Sequence, residues 1–145
     1  MNVVVMGCGR VGSRVASILD NNGHNVSIID TNSSAFRRLS REYGGDTVIG
    51  TGIDEDVLRQ AGIGKADVFI AATNGDNRNI MAGQVARVMF DVSQVIVRIY
   101  DPVRADTYRR LGLSTVCPTT TISALIIDQV TGASSDVANA IERGA

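Results

Sequence analysis

Apolar and polar positions alternate along this chain in blocks of two kinds. Short, continuous, β-branched runs are followed by longer segments in which apolar residues recur every three or four positions. The first run, Asn2–Met6 (NVVVM), ends at glycines. An uninterrupted apolar run of this length suits a strand covered on both faces, as in a parallel sheet. The next segment, Arg10–Asn22, places Val11, Val15, Ile18 and Leu19 at helical spacing and stops before Gly23. A glycine just past the last periodic residue is a favoured helix end.

The alternation continues to the far end of the chain. Val26–Ile29 reads as a second strand ending in Asp30, and Ser33–Tyr43 as a helix with Phe36, Leu39 and Tyr43 on one face. Thr47–Gly50 is a third strand. Asp54 caps a short helix with Val57, Leu58 and Ala61 inward and Gly62 at its end. Val68–Ala72 is the fourth strand, and Asp76–Phe90 a long helix expected to bury Ile80, Met81, Val85, Val88 and Met89. Val95–Ile99 is the fifth strand. Asp101 followed by Pro102 is a preferred helix start, and that helix runs to Leu111-Gly112. Ser114–Cys117 is a sixth strand, stopped by Pro118, and Thr119–Val130 reads as a last helix.

Strands alternating with helices in one run predict a parallel sheet with helices on both faces. The right-handed crossover rule then leads to an α/β, Rossmann-like, doubly wound six-stranded sheet, followed by a C-terminal crossover helix. Residues 1–131 read as one nucleotide-binding domain. Residues 132–145 read as a tail, or as the start of a linker to a further lobe.

Composition narrows the function. Hydrophobic residues are 44% and charged residues 20% of 145, an ordinary globular balance. The formal net charge of −1 argues against general nucleic-acid binding by phosphate neutralisation. Aromatic residues are 4% with no Trp, which gives no platform for stacking bases. No apolar run is long enough for a membrane span, and no charged-then-apolar leader precedes the first strand. The 2 cysteines, Cys8 and Cys117, match neither a disulfide scaffold nor a metal motif. The expectation is a cytoplasmic protein that does not insert directly into a membrane.

Candidate chemistry gathers at the first turn. Gly7-Cys8-Gly9-Arg10-Val11-Gly12 is a GxGxxG motif that follows a strand, opens a helix, and has Asp30 18 positions beyond Gly12 at the end of the second strand. That context is the one a dinucleotide fingerprint requires. Gly7 permits the tight turn, Gly9 lets the backbone approach phosphates, and Gly12 lets the helix pack close. The helix start offers free N–H groups and a partial positive charge to an anion. Asp30 suits ribose hydroxyls and repels a 2′-phosphate, which disfavours NADP. Arg10 stands where a diphosphate or triphosphate would lie; its other reading is a solvated arginine at a helix start.

In open α/β sheets ligands bind beyond the carboxyl ends of the strands. Here those ends also carry Gly52, Ile53 and Asp54, then Ala72, Thr73, Asn74 and Asn77, and finally Arg98. Asp54 suits an adenine amino group or a plain helix cap. Asn74, Asp76 and Asn77 suit turn and cap positions as well as a ligand. Arg98 is a charge in the apolar run VIVRI and needs a partner: a phosphate, a facing subunit, or solvent. His24, the single histidine, falls in a turn at the opposite end of the sheet. No His, Lys or Tyr stands where a dehydrogenase would need its proton donor, and no GxxxxGK[ST] loop is present. The expected reading is a binding domain without catalytic residues.

With these residues in view, the sequence resembles the RCK/KTN domain family, the cytosolic nucleotide-binding domains of Trk and Ktr potassium uptake systems and related channels. The resemblance rests on GCGRVG at 7–12, Asp30 after VSII, VIGTGIDEDVLRQAGI at 48–63, DVFIAATNGDNRNIMAGQVAR at 67–87, and VIVRIYDPVRADTYRRLGLSTVCPTTTISALI at 95–126. It implies a regulatory, non-catalytic role in potassium transport, with NAD(H) or ATP/ADP in the cleft. It implies a homo-oligomer, a dimer building a ring that is often octameric, beneath a membrane-embedded potassium transporter subunit. By position it assigns phosphates to Gly7, Gly9, Arg10 and Gly12 and the adenosine ribose to Asp30, and it counts Cys8, Val11 and Thr31 among the cofactor-binding residues. Gly52, Ile53 and Asp54 would flank the adenine. Ala72, Thr73, Asn74, Asn77 and Arg98 would line the second half of the cleft. Thr119–Val130 matches the helix that crosses to a partner subunit. Some members hold a cation with an acid near Gly112, where this chain has Tyr108-Arg109-Arg110-Leu111, so no metal is expected. The alternatives from the residues alone are the cofactor domain of an NAD-dependent oxidoreductase without its catalytic half, and a nucleotide-binding regulator of another ion transporter.

Overall fold

The computed structural model describes residues 1–132. Six strands form one sheet: β1 (Asn2–Met6), β2 (Asn25–Asp30), β3 (Asp46–Ile49), β4 (Val68–Ala71), β5 (Gln94–Arg98) and β6 (Ser114–Val116), in the order β3-β2-β1-β4-β5-β6. Every neighbouring pair is parallel. The connections are α1 (Arg10–Asn21), a 3-10 helix at Ser33–Arg38, α2 (Glu55–Gln60) with a 3-10 turn at Ile63–Lys65, α3 (Asp76–Val88) and α4 (Pro102–Arg110). The last helix is α5 (Pro118–Thr131). The chain winds outward from β1 to β3, returns to pair β4 with β1, and winds outward the other way. The reversal between β1 and β4 is the switch point at which doubly wound sheets open a crevice.

Strand periodicity sorts the core onto two faces. Val4, Met6, Ile29, Phe69, Ala71, Val95 and Val97 pack beneath α2, α3 and Ala105 of α4. Val3, Val5, Val26, Ile28 and Val68 pack with Ala16 of α1 and with Ala35 of the 3-10 helix. Ile70 and Ile96 on this second face are only partly buried, and Val116 of β6 is 49% exposed. No residue of α5 is buried among those described. The described residues therefore leave both the second face over β4–β6 and the apolar side of α5 uncovered.

Two helices turn a different face inward from the one their large apolar residues suggest. In α1 the buried residues are Gly12, Ser13, Ala16 and Ser17, while Val11 and Ile18 are exposed. In α3 they are Asn79, Ile80, Ala82, Gly83 and Ala86; Met81, Val88 and Met89, expected in the core, lie in solvent. The cause is the short helix-to-sheet distance. A Cβ on Gly83 would stand 2.6 Å from Cγ2 of Val97, so the branched strand side chains already fill the layer and only small residues fit above them.

The helix expected over Ser33–Tyr43 stops at Arg38. The backbone N–H of Ser40 donates to Oγ of Ser17, and that of Gly44 to Oδ2 of Asp20. Tyr43 Oη lies 3.0 Å from the carbonyl of Val26 and 3.1 Å from that of Asp46. Side chains of α1 and the edge of β2 thus supply partners that a continued helix would have supplied itself. The segment expected as a tail, 132–145, lies outside the described residues except for Gly132, which closes α5 in a left-handed conformation at φ 67°.

Close packing at the start of α1 gives a direct test. A Cβ on Gly12 would lie 1.8 Å from the carbonyl oxygen of Gly7, whereas one on Gly9 meets nothing within 4 Å. Gly12→Ala is expected to lower stability by roughly 2–3 kcal/mol, as overpacking against fixed backbone does. Gly9→Ala should change it by under about 1 kcal/mol, the loss on replacing a glycine cap. Urea unfolding of both variants checks the contrast.

Candidate functional site

The crevice at the switch point is a cleft of about 510 Å³. The β1–α1 loop forms its floor with Gly7, Gly9, Arg10 and Val11. Gly7 has φ 103°, a left-handed conformation that disfavours any side chain. It lies against the end of β4, since a Cβ there would be 3.0 Å from the N of Thr73 and 3.1 Å from the carbonyl carbon of Ala72. Gly9 caps α1 with no side-chain hydrogen bond, so the first N–H groups of that helix have no side-chain cap. This is the anion site that a helix start makes when its donors point into an open cleft.

One wall comes from β2 and β3. Asp30 and Thr31 line it, together with Ile29 and residues Gly50, Thr51 and Gly52 after β3. Asp30 Oδ2 accepts from the backbone N–H of Cys8 at 2.7 Å and Oδ1 from that of Asn32 at 2.9 Å. A carboxylate oxygen accepts more than one hydrogen bond, so Asp30 braces the glycine loop and still offers acceptors to a ligand. Cys8 itself is fully buried, and its Sγ donates to the carbonyl of Ala35 at 3.3 Å. Burial pushes its thiol pKa up to about 11, with the Asp30 carboxylate adding to the rise and Arg38 opposing it.

The other wall comes from β4, α3 and β5. Ala72, Thr73, Asn74, Arg78 and Arg98 line it. Asn79, with no exposed surface, ties this wall together. Its Oδ1 accepts from the N–H and the hydroxyl of Thr73, and its Nδ2 donates to the carbonyls of Thr73 and Arg98. Arg98 stacks 4.4 Å over the ring of Tyr100 and donates from Nη1 to the carbonyl of Ala72 at 3.4 Å. Its Nε is buried without a hydrogen-bond partner. Asp76, in the first turn of α3, turns away from the cleft to accept from the N–H groups of Tyr100 and Asp101.

The fold brings Gly7, Gly9, Arg10, Val11, Asp30, Thr31, Gly52, Ala72, Thr73, Asn74 and Arg98 to one cleft. Five other residues singled out in the sequence are not on its lining. Cys8 and Gly12 are buried beneath the loop, where they shape it. Ile53 is 38% exposed beside it. Asp54 Oδ1 accepts from the N–H groups of Asp56 and Val57, so the carboxylate caps α2. Asn77 faces α4, with its Oδ1 against Nη2 of Arg104. The lining residue that sequence reading passed over with most consequence is Arg78. Its signal was present: a cation in the first turn of a helix opposes the helix dipole. Among the described residues no cluster of three or more His, Cys, Asp or Glu could hold a metal, and no helix is long and apolar enough to cross a membrane.

Comparison with known proteins agrees with this architecture. The TrkA-N domain family matches residues 3–119. The chain is 53% identical over 116 residues to a Trk system potassium uptake protein TrkA of Streptomyces coelicolor, covering 80% of this chain and 52% of that protein. The chain therefore spans about half the length of that relative. Among solved structures, the TrkA-N domain of the inner membrane protein ybaL from Escherichia coli superposes with a TM-score of 0.78 at 20% identity, over 88% of this chain and 95% of that one. The Kef C-terminal domain of Shewanella denitrificans in its AMP-bound form gives 0.75 at 23% identity, over 99% of this chain and 89% of that one. The GsuK channel, solved bound to NAD and bound to ADP, gives 0.67 at 21% identity over 83% of this chain and 22% and 32% of those chains.

Two outcomes follow from the geometry. Asn79→Ala strands the Thr73 N–H and the Thr73 and Arg98 carbonyls, and is expected to cost about 3 kcal/mol, read as a lowered urea midpoint. The second concerns pH. Burial also raises the phenol pKa of Tyr43, with Asp20 and Asp46 adding. Both acids are weaker in the folded chain than in the unfolded one. Their contribution to stability is whole below the unfolded values; that of Cys8 is lost as pH rises from about 9 toward 11, and that of Tyr43 from about 10 upward. Urea midpoints should therefore fall between pH 8.5 and 10.5, and less steeply in Cys8→Ala. A flat profile in the parent chain would contradict the burial of both groups.

Proposed function

This chain belongs to the TrkA-N domain family, and we propose that it is the nucleotide-sensing regulatory domain of a Trk/Ktr-type potassium transport system. The observation that carries the reading is the cleft: a glycine loop and the uncapped start of α1 face Asp30 across an open crevice. That arrangement accepts phosphates at one point and a ribose beside it. NAD(H) and ATP/ADP both satisfy it, and the AMP, NAD and ADP complexes of proteins with the same fold support an adenine nucleotide.

The cleft supports sensing rather than turnover. Its titratable lining residues are Arg10, Asp30, Arg78 and Arg98. Guanidinium groups do not exchange protons near neutral pH, and Asp30 is engaged by the loop it braces. Among the described residues no general acid stands beside the ligand position. A nucleotide then acts by binding two arrangements of an assembly with different affinity.

The uncovered surfaces support assembly. Ile122, Leu125, Ile126, Ile127 and Val130 of α5 are exposed, while the second sheet face over β4–β6 lacks a cover. A second copy of the chain would bury both, as a dimer from which a ring is built. On this reading the domain is cytoplasmic, held at the inner face of the membrane by a membrane-embedded potassium transporter subunit.

Calorimetric titration of the purified chain, stripped of nucleotide, with ATP, ADP, NAD and NADH tests the proposal. At least one is expected to bind at micromolar concentration or below. Gly9→Asp places a carboxylate in open space at the phosphate loop, and should weaken that binding at least about tenfold while the urea midpoint stays close to that of the parent. Asp30→Ala should weaken it comparably. Binding by neither parent nor variants, or equal binding by all three, overturns the assignment.

A further inference from the structure

The outer side of α1 and the 3-10 segment beside it carry a charge that the cleft does not use. Arg14 lies on α1, Arg37 and Arg38 in the last turn of the 3-10 helix, and Arg41 just beyond it. All four are exposed. The ion pairs among the described residues are Arg59–Glu55, Arg109–Asp106 and Arg110–Asp106, so none of these four guanidinium groups has a carboxylate partner there. Two hydrogen bonds gather them on one face. Ser17 stands one turn after Arg14 on the same side of α1, and its Oγ accepts from the N–H of Ser40. Asp20, three positions further on, accepts from the N–H of Gly44. The segment from Arg37 to Gly44 therefore runs along the edge of α1 that presents Arg14. Against the four arginines this face sets Asp20, engaged by the Gly44 N–H, and the exposed Glu42. Like charges gathered in this way repel one another until a counter-charge meets them.

We propose that this face is a docking surface for an anionic lipid bilayer, with Arg14, Arg37, Arg38 and Arg41 against the headgroups and the domain outside the hydrocarbon. A bilayer rich in acidic lipid attracts each basic side chain near its surface by about fivefold in binding. Three features favour lipid over other anionic partners. None of the four arginines lines the cleft, the small cavity at the far end of the sheet, or the cavity beside α4. The face thus suits a broad layer of charge more than an acidic peptide, which needs a groove to seat it. Val11 and Ile18, 48% and 46% exposed, share the stripe of α1 that holds Arg14, three positions before it and four after. Aliphatic side chains interleaved with arginine fit a headgroup boundary, where apolar parts are covered and charges stay wet. Nucleic acid is disfavoured by the net charge of −1 and the absence of Trp, which leave neither a wide basic field nor a stacking platform. The surface lies apart from the cleft and does not depend on what the cleft binds.

Co-sedimentation of the full chain with vesicles tests the proposal, using phosphatidylcholine alone and phosphatidylcholine with phosphatidylglycerol in equal parts. At low salt, adsorption to the mixed vesicles is expected to be at least about tenfold stronger than to phosphatidylcholine. It should be lost at about 0.5 M salt, where charges are screened within a few ångströms. Arg37→Gln with Arg38→Gln, and separately Arg14→Gln with Arg41→Gln, should each weaken it about tenfold or more and leave the urea midpoint unchanged. Arg109→Gln with Arg110→Gln removes the same charge from α4 and should weaken it by less than about threefold, because that helix stands beyond the screening length. Arg37→Lys with Arg38→Lys should keep the parent's adsorption, since a bilayer responds to charge. Loss in the lysine pair would mark a protein partner held by paired carboxylates and overturn the lipid assignment. Equal adsorption to both vesicles, adsorption to neither, or an equal effect of the α4 pair also overturns it. Each of these outcomes leaves the reading of the nucleotide cleft as it was.

Discussion

The structure depends on how closely α1 can sit on the loop that precedes it. Gly12 faces the carbonyl of Gly7 at a distance that leaves no room for even a methyl group. Gly7 in turn abuts the backbone of Ala72 and Thr73. These two contacts bring a helix start, a strand end and a tight turn to one point. The helix N–H groups open onto the switch point because nothing larger than hydrogen lies between them and β4. Asp30 then fixes the loop from the other side through the Cys8 N–H. Buried thiol, buried glycine and bracing carboxylate are three parts of one constraint on the floor of the cleft.

The same economy of space explains which parts of the fold were legible in the sequence. The βα alternation and the caps at Asp54 and Asp101 follow from patterns a few residues long, and the structure has them. What misled was the assumption that the largest apolar residues of a helix mark its buried face. In α3 the buried face is Asn79, Ala82, Gly83 and Ala86 beside Ile80, and Met81, Val88 and Met89 point away. Helices on a sheet of branched residues are selected for small inward residues, and periodicity of bulk cannot report that. The end of the 3-10 segment was misread for a related reason: the acceptors for the Ser40 and Gly44 N–H groups that follow it, Ser17 and Asp20, lie on another helix. No local pattern encodes a partner that far away.

The site was legible where the backbone makes it and obscure where side chains choose between roles. The glycine motif and Asp30 fall on the cleft because turn, helix start and strand end are fixed by short-range geometry. Asp54 and Asn77 sit at equally suggestive positions, but each is used locally, one on its own helix and the other against Arg104. Arg78 was recoverable from an electrostatic argument instead of a motif. A basic residue in the first turn of a helix goes against its dipole, and natural sequences break a local rule mainly where a site requires it.

The wall that holds Arg78 and Arg98 is also joined to the end of the domain. Asn79 fixes the ends of β4 and β5, and Asp76 on the same helix holds the Tyr100–Asp101 backbone. The carbonyl of Tyr100 accepts from Thr119 Oγ1 at 2.7 Å and from Cys117 Sγ, which ties that turn to the first turn of α5. Tyr100 also carries the ring on which Arg98 stacks. One residue thus touches both the cation at the cleft and the helix whose apolar side is left uncovered. From the Arg98 head the path to α5 runs through the Tyr100 ring and then the Tyr100 carbonyl, which accepts both hydrogen bonds. Contiguity of this kind is the physical precondition for a ligand in the cleft to alter how α5 packs, because the coupling must pass through groups that have more than one arrangement.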